Sequence, residues 1–282
     1  MNIKVVIDKK SGVCGGVKRA IKMIEKEIGK SGNSNIYVNG ELLHNRLEME
    51  RLIECGLKVE EKVGKIENSV LFIRTHGVAK NTIELAEKNH NSVVNATCPK
   101  VSGSQKIIEE HFAHGYQIII VGKQHHPEVQ GLLGYCDNKG ICITDEKDID
   151  KIDTEKKSLL IAQTTVSTEK FKKMIELLEK RIKNIKVANT ICQFVEKREK
   201  ELIEFAKKYD VIIFIGGKNS SNTKVMFDKF SKFNKRSYLI ENKTEIDFSW
   251  FKENDIIGVS GSASTPIWQI EEIKKVIENK LL

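Results

Sequence analysis

Proline is scarce: the 282-residue chain contains three. Pro-rich linkers are therefore missing, and composition marks no obvious hinge between folded parts. Aromatic residues are 6% of the chain and scattered, and no motif interleaves them with basic residues, which disfavours a nucleic-acid surface. No apolar run approaches the roughly 20 residues a membrane-spanning helix needs. The stretch from Met1 to Asp8 is too short and too charged for the apolar part of a secretion signal, and it reads as a first strand. No Cys-x-x-Cys occurs, so the commonest spacing of a structural zinc site is missing. A reducing cytoplasm is the expected location, where cysteines more often serve metals or catalysis than disulfides.

The formal charge is +8, from 47 basic and 39 acidic residues. An acidic partner or an anionic substrate is compatible with this balance. The lysines, however, stand among glutamates, as in Lys22-Met23-Ile24-Glu25-Lys26-Glu27. Such mixed runs read as solvated helix faces.

The chain does contain a repeated signature: Val13-Cys14-Gly15-Gly16-Val17, Thr97-Cys98-Pro99-Lys100-Val101 and Ile191-Cys192-Gln193-Phe194-Val195. Each has a Cys with Val three residues later, and each opens a helical segment. The cysteines are 84 and 94 residues apart, which predicts three similar small domains: 1–97, 98–191 and 192–282, the last with a C-terminal helix. Apolar runs predict strands at Lys4–Asp8, Ile36–Asn39, Val70–Arg74, Ser92–Asn95, Gln117–Val121, Leu159–Ala162, Val211–Ile215 and Ile256–Val259. Amphipathic stretches predict helices at Val17–Ile28, Arg46–Cys55, Asn81–Asn89, Val101–Phe112, Thr168–Ile182, Val195–Lys207 and Ile267–Ile277. Strand–helix alternation with nearly all-apolar strands gives an α/β class with mostly parallel sheets. Chemically capable residues follow the strands directly, where parallel α/β sheets bind ligands.

Three thiolates from three similar units suit a cluster better than a disulfide. Cys14, Cys98 and Cys192 each precede a helix, whose N-terminal dipole and N–H groups favour thiolate. Three such ligands can hold a cubane iron–sulfur cluster and leave one iron open as a Lewis acid. The competing reading is three small buried hydrophobes; the repeated context favours ligands. Cys55, Cys136 and Cys142 lack that context and read as core or surface residues. His44, His76 and His126 stand at strand ends and suit phosphate oxygens. Lys218-Asn219-Ser220-Ser221-Asn222 offers hydroxyls, amides and N–H groups at a helix start, an anion site or an ordinary cap. Ser264 precedes Thr265-Pro266 in the same manner. Glu128 is an acid beside a His after a strand, either a proton donor or a first-turn carboxylate. Thr164 and Thr165 could relay its proton or hold a substrate hydroxyl. A zinc hydrolase built on His44, His76, His126 and Glu128 remains an alternative at this point, as does a basic nucleic-acid binder.

Taken in order, Gly12-Val13-Cys14-Gly15-Gly16-Val17, Leu43-His44-Asn45-Arg46, Thr75-His76-Gly77-Val78, Ala96-Thr97-Cys98-Pro99, His126-Pro127-Glu128-Val129, Gln163-Thr164-Thr165, Lys218-Asn219-Ser220-Ser221-Asn222 and Ala263-Ser264-Thr265-Pro266 resemble a known family. It is that of the LytB-type 4-hydroxy-3-methylbut-2-enyl diphosphate reductases, which end the non-mevalonate isoprenoid pathway. The resemblance implies a trefoil of three α/β domains around a central [4Fe–4S] cluster held by Cys14, Cys98 and Cys192. It implies that His44, His76, His126, Ser220, Ser221, Asn222 and Ser264 hold the diphosphate, that Thr164 contacts the substrate near its hydroxyl, and that Glu128 gives the proton. The implied reaction removes that hydroxyl of the allylic diphosphate as water, with two electrons and two protons. It yields isopentenyl and dimethylallyl diphosphates, with reduced ferredoxin or flavodoxin as electron donor. Two departures stand out. Phe194-Val195 and Arg198-Glu199 replace the family's Ala-Thr and Arg-Gln, and Ser262 replaces a Gly.

Overall fold

The structure is a computed structural model that describes residues 3–30 and 35–281. Met1 and Asn2, the start of the expected first stretch, lie outside the described residues. In chain order the strands are β1 (Lys4–Ile7), β2 (Ile36–Asn39), β3 (Leu57–Glu60), β4 (Val70–Ile73), β5 (Ser92–Asn95), β6 (Gln117–Val121), β7 (Ile141–Ile143), β8 (Ser158–Ala162), β9 (Ile185–Val187), β10 (Val211–Ile215), β11 (Ser237–Ile240) and β12 (Ile256–Gly261). The helices are α1 (Gly15–Lys30), α2 (Arg46–Glu54), α3 (Lys80–Lys88), α4 (Pro99–Ala113), α5 (Pro127–Leu133), α6 (Thr168–Glu179), α7 (Gln193–Ala206), α8 (Ser221–Phe230) and α9 (Ile267–Leu281). Among the described residues every strand pairing is parallel.

The strands form three four-stranded sheets, ordered β3-β2-β4-β5, β7-β6-β8-β9 and β11-β10-β12-β1. The three orders are one pattern: second, first, third, fourth. The last sheet takes its fourth strand from the start of the chain, so the threefold repeat is circularly permuted. Residues 1–97 are expected as the first domain, yet β1 pairs with β12 and completes the sheet of the last segment. By contact density the chain divides into two compact units. Met1–Lys18, Leu43–Glu54 and Gln193–Leu282 carry the sheet that contains β1. Arg19–Leu42 and Cys55–Cys192 carry the other two sheets.

The central strands are apolar throughout because helices cover both faces. In the sheet around β6, Ile119, Val121, Leu160 and Ala162 pack with Phe171, Met174 and Leu178 of α6. The alternate residues Ile118, Ile120, Leu159 and Ile161 face Ile108 of α4 and Val129 and Leu132 of α5. This period-two division fixes strand register, since a one-residue slip would exchange the faces. In the other unit, Ile257, Val259, Ile213 and Ile215 pack with Ile270, Ile273 and Ile277 of α9. Each such side chain contributes roughly 1.5–3 kcal/mol through burial.

One buried ion pair ties β1 to α7. The Arg198 guanidinium donates to Asp8 at 2.5 Å and to Ser260 at 2.7 Å, and Ser260 donates to Asp8 at 3.0 Å. The Arg198 and Asp8 side chains are 3% and 7% exposed. Removing the cation strands a carboxylate in a dry site, so Arg198→Met is expected to cost about 3–5 kcal/mol in urea unfolding. No helix among the described residues is long and apolar enough to cross a membrane.

Candidate active site

The repeat decides where functional groups can stand. The loops after first strands carry His44, the His126–Glu128 segment and Ser220–Asn222. Those after third strands carry His76, Thr164 and Ser264, and those after fourth strands carry Cys98, Cys192 and Cys14. All the residues expected from sequence thus lie at carboxyl ends of parallel strands, where ligands bind in such sheets. Each cysteine is anchored alike. Cys98 N–H donates to Thr75 O at 2.9 Å, Cys192 N–H to Thr164 O at 2.9 Å, and Cys14 N–H to Ala263 O at 2.8 Å. Every acceptor lies two residues past a third strand.

Within the unit that contains Cys98 and Cys192, the structure brings an acid to the thiols. Cys98 caps α4 with Pro99 in its first turn. The N–H groups of Lys100 and Val101 point at its sulfur, as a helix N-terminus should provide. The expected net preference for thiolate is nevertheless reversed: burial pushes this thiol up, and the nearby Cys192 and Glu128 add to the rise. Desolvation outweighs the N–H groups, so a stable thiolate here calls for a cation beside it. Cys136 and Cys142 lie in the apolar core, where burial pushes their thiols up to about 11. No disulfide joins any of the six cysteines.

Glu128 is buried, 2% exposed. Burial pushes its carboxyl up to about 7, against the opposing pull of two bonds from Thr164. The Thr164 N–H donates to one carboxyl oxygen at 2.7 Å and its hydroxyl to the other at 2.8 Å. Glu128 N–H donates to His126 Nδ1 at 3.1 Å, so His126 is the cap of α5. That bond makes Nδ1 an acceptor and leaves the proton of a neutral imidazole on Nε2, where it is a donor. The His76 and His126 rings meet edge to face, with centroids 5.6 Å apart. Gly77 follows His76 at φ +72°, and a Cβ there would lie 2.5 Å from the Gln105 amide nitrogen. Gly77→Ala is expected to destabilise the protein by about 1–3 kcal/mol in urea unfolding.

In the other unit, Ser220 caps α8, its hydroxyl accepting from Thr223 N–H at 3.3 Å. Ser220 and Ser221 are buried, and the buried Asn222 Oδ1 has no hydrogen-bond partner among the described residues. The His44 carbonyl accepts from the Ser264 hydroxyl at 3.2 Å. Gly217 passes so close to that carbonyl that a Cβ would come within 2.6 Å of it. Three loops, bearing His44, Ser220–Asn222 and Ser264, are thus joined within this unit.

The departures from the family pattern have local partners. Glu199, buried in α7, pairs with Lys229 of α8 at 2.6 Å, so the extra acid is neutralised. Ser262 lies against Gly216, where a Cβ would come within 2.8 Å, and its hydroxyl meets Ser264 and Thr265 at 3.2 and 3.1 Å. Val195 is buried, while Phe194 is exposed. Sequence reasoning gave no role to Gln163. Its amide oxygen accepts from Lys123 N–H at 3.1 Å and its nitrogen donates to Thr165 at 3.2 Å, tying two strand-end loops together. Its place directly after an apolar strand was the available signal.

Comparison with known proteins gives the same picture. Residues 5–278 match the family described as LytB protein. A 4-hydroxy-3-methylbut-2-enyl diphosphate reductase of Campylobacter hominis is 38% identical over 277 residues, 98% of each chain. The enzyme of that name from Helicobacter pylori is 36% identical, covering 98% of this chain and 99% of its own. A solved (E)-4-hydroxy-3-methyl-but-2-enyl diphosphate reductase, titled the terminal enzyme of the non-mevalonate pathway, superposes with a TM-score of 0.76 at 34% identity, covering 98% and 99% of the two chains. The E-1-hydroxy-2-methyl-but-2-enyl-4-diphosphate reductase structure from Plasmodium falciparum shares the fold, with a TM-score of 0.88 at 24% identity over 100% of this chain and 90% of its own. With the motifs in order, the three anchored cysteines and a match over nearly the whole length, the chain belongs to the LytB family.

Proposed function

We propose that this chain reduces (E)-4-hydroxy-3-methylbut-2-enyl diphosphate to isopentenyl and dimethylallyl diphosphates. The allylic C–O bond breaks, the oxygen leaves as water and one C–H bond forms, consuming two electrons and two protons. The observation that carries this reading is the Glu128 carboxyl. It is buried, pushed up to about 7, bonded through both oxygens to Thr164 and close enough to influence the Cys98 thiol. An acid with that affinity can hold a proton near neutral pH and release it to a leaving oxygen. The Thr164 hydroxyl, already bonded to Glu128, would relay such a transfer.

The donor set fits an iron–sulfur cluster. Cys14, Cys98 and Cys192 are half-buried, share one backbone anchor and stand outside any disulfide. Cys192 is near enough to Cys98 to raise that thiol's cost of ionisation. Arg19 of α1 donates to the carbonyls of Thr97 at 3.2 Å and Asn95 at 3.3 Å, which holds the backbone that leads into Cys98. Cys14, Cys98 and Cys192 would hold a [4Fe–4S] cluster, which when bound supplies electrons and a Lewis-acidic iron.

His44, His76, His126, Ser220, Ser221, Asn222 and Ser264 would hold the diphosphate, with imidazole, hydroxyl and helix N-terminal donors matched to its oxygens. A reduced ferredoxin or flavodoxin would deliver electrons. A nucleic-acid surface is not favoured, since many lysines pair with acids, as in Lys10–Glu201, Lys80–Glu109 and Lys243–Glu272. Anaerobically purified protein with the substrate, dithionite and a viologen mediator is expected to form both products. A brown, iron-loaded protein that consumes no substrate would overturn the proposal, and a colourless zinc-bound one would revive the hydrolase reading.

A further inference from the structure

We infer that Gln269 is a positioning residue for His44, acting through Asn45; this rests on the reading that His44 holds the diphosphate. Gln269 stands on α9 and Asn45 directly follows His44. Their amides exchange two hydrogen bonds: Asn45 Nδ2 donates to Gln269 Oε1 at 3.0 Å, and Gln269 Nε2 donates to Asn45 Oδ1 at 2.8 Å. Both side chains are buried, Asn45 5% and Gln269 2% exposed. A reciprocal amide pair in a dry site fixes both planes, because turning either one breaks two bonds and strands polar atoms.

Asn45 is committed further. Its Oδ1 also accepts from Glu48 N–H at 3.0 Å, and its carbonyl accepts from Met49 N–H at 3.0 Å, so it starts α2. One residue earlier, the His44 carbonyl is held by Ser264 and by the close approach of Gly217. The imidazole therefore leaves a backbone clamped at its own carbonyl and at the next side chain. Trp268 adds a parallel grip, its indole N–H donating to Glu48 at 2.9 Å. A buried glutamine on the core-facing side of α9, beside Ile270 and Ile273, is costly unless its amide is used. The use visible here is to orient the segment that carries His44.

Holding an anion ligand demands an imidazole placed to within a fraction of an ångström. Loss of the amide pair should therefore loosen diphosphate binding while leaving the proton donor and the thiols untouched. A merely structural role would lower stability without selectively moving anion affinity.

The test is a double-mutant cycle on the anaerobically purified holoprotein, with inorganic pyrophosphate titrated calorimetrically. Its members are the unaltered protein, Gln269→Met, His44→Ala and the combination. Gln269→Met, nearly isosteric, is expected to weaken pyrophosphate binding about fivefold to tenfold. The same change in the His44→Ala background should have almost no effect, and in turnover it should raise KM more than it lowers kcat. If Gln269→Met does not fold, Gln269→Glu, which keeps the acceptor for Asn45 Nδ2 but loses the donor, takes its place in the cycle. Unchanged affinity in the folded variant, or a loss that adds in full to that of His44→Ala, overturns the inference. If His44→Ala alone leaves pyrophosphate affinity unchanged, it is the diphosphate role of His44 that fails.

Discussion

Cys98→Ser is expected to lose its iron and with it essentially all turnover, by at least about 100-fold, whereas Cys136→Ala is expected to keep both. The contrast follows from where the two sulfurs stand. Cys98 opens α4 with two N–H groups on its sulfur, and its backbone is anchored to Thr75. Cys136 is fully buried among Ile118, Leu132 and Leu133. A serine at position 98 retains the N-cap chemistry, so the fold should persist. It removes the soft thiolate that iron prefers. Iron content per chain and visible absorbance decide the matter before any activity is measured. A Cys98→Ser protein with full iron and unaltered absorbance would remove Cys98 from the ligand set. The equivalent changes at Cys14 and Cys192 should behave alike, since the three share one anchoring hydrogen bond.

That common anchor shows how far the sequence could be read. Cysteine spacing revealed a threefold repeat, and the central strands were legible because burial on both faces demands unbroken Val and Ile. The missed strands are β3, β7, β9 and β11, all of them sheet edges. They have three or four residues and are partly exposed, so neither length nor apolar content marks them. The edges that could be read, β1 and β5, each contain a Val-Val pair and lead into a cysteine motif. Helix α5 has seven residues, too few for a helical period to show. Of α8 only the start was visible, through its capping residues. The pairing of β1 with β12 spans nearly the whole chain, and no local pattern encodes it.

The site was legible by residue type and illegible by environment. His126 and Glu128 drew notice as neighbours after a strand. Their actual relation, an imidazole capping the helix that carries the acid, is set by backbone geometry. Thr164 was expected to relay the Glu128 proton or to meet the substrate, and the hydrogen bond from its hydroxyl to Glu128, 36 residues earlier, has no signal in the spacing. The Asn45–Gln269 pair spans 224 residues, and in sequence the buried glutamine is simply a polar residue near the C-terminal end. Arg198, which the sequence marks only as part of the Arg198-Glu199 departure, is half of a buried ion pair. Long-range polar pairs of this kind leave no periodic trace, because each uses one residue from each element.

Glu128→Gln is expected to keep iron and pyrophosphate affinity while losing turnover by about 100- to 10,000-fold, the usual contribution of a positioned proton donor. The amide keeps the shape and can still accept from Thr164, but it has no acidic proton to release. The pH dependence makes the prediction sharper. With its affinity raised from 4.5 to about 7, the native carboxyl holds a proton that the unfolded chain has already lost between those values. The native state therefore binds more protons in this window, and its stability falls as pH rises from about 4.5 to about 7. Ionising the buried carboxyl fully costs roughly 3 kcal/mol. In the metal-free protein, Glu128→Gln should accordingly be more stable than the unaltered chain by about 1–3 kcal/mol at pH 8, with no such gain at pH 5. Urea unfolding at the two pH values measures this without any turnover. Turnover of the unaltered protein should decline above about 7 as the donor loses its proton, and the residual turnover of Glu128→Gln should lack that limb. Near-normal turnover in Glu128→Gln, or equal stability differences at both pH values, would mean that the proton on Glu128 is not the one the reaction uses, or that the carboxyl ionises freely in its pocket.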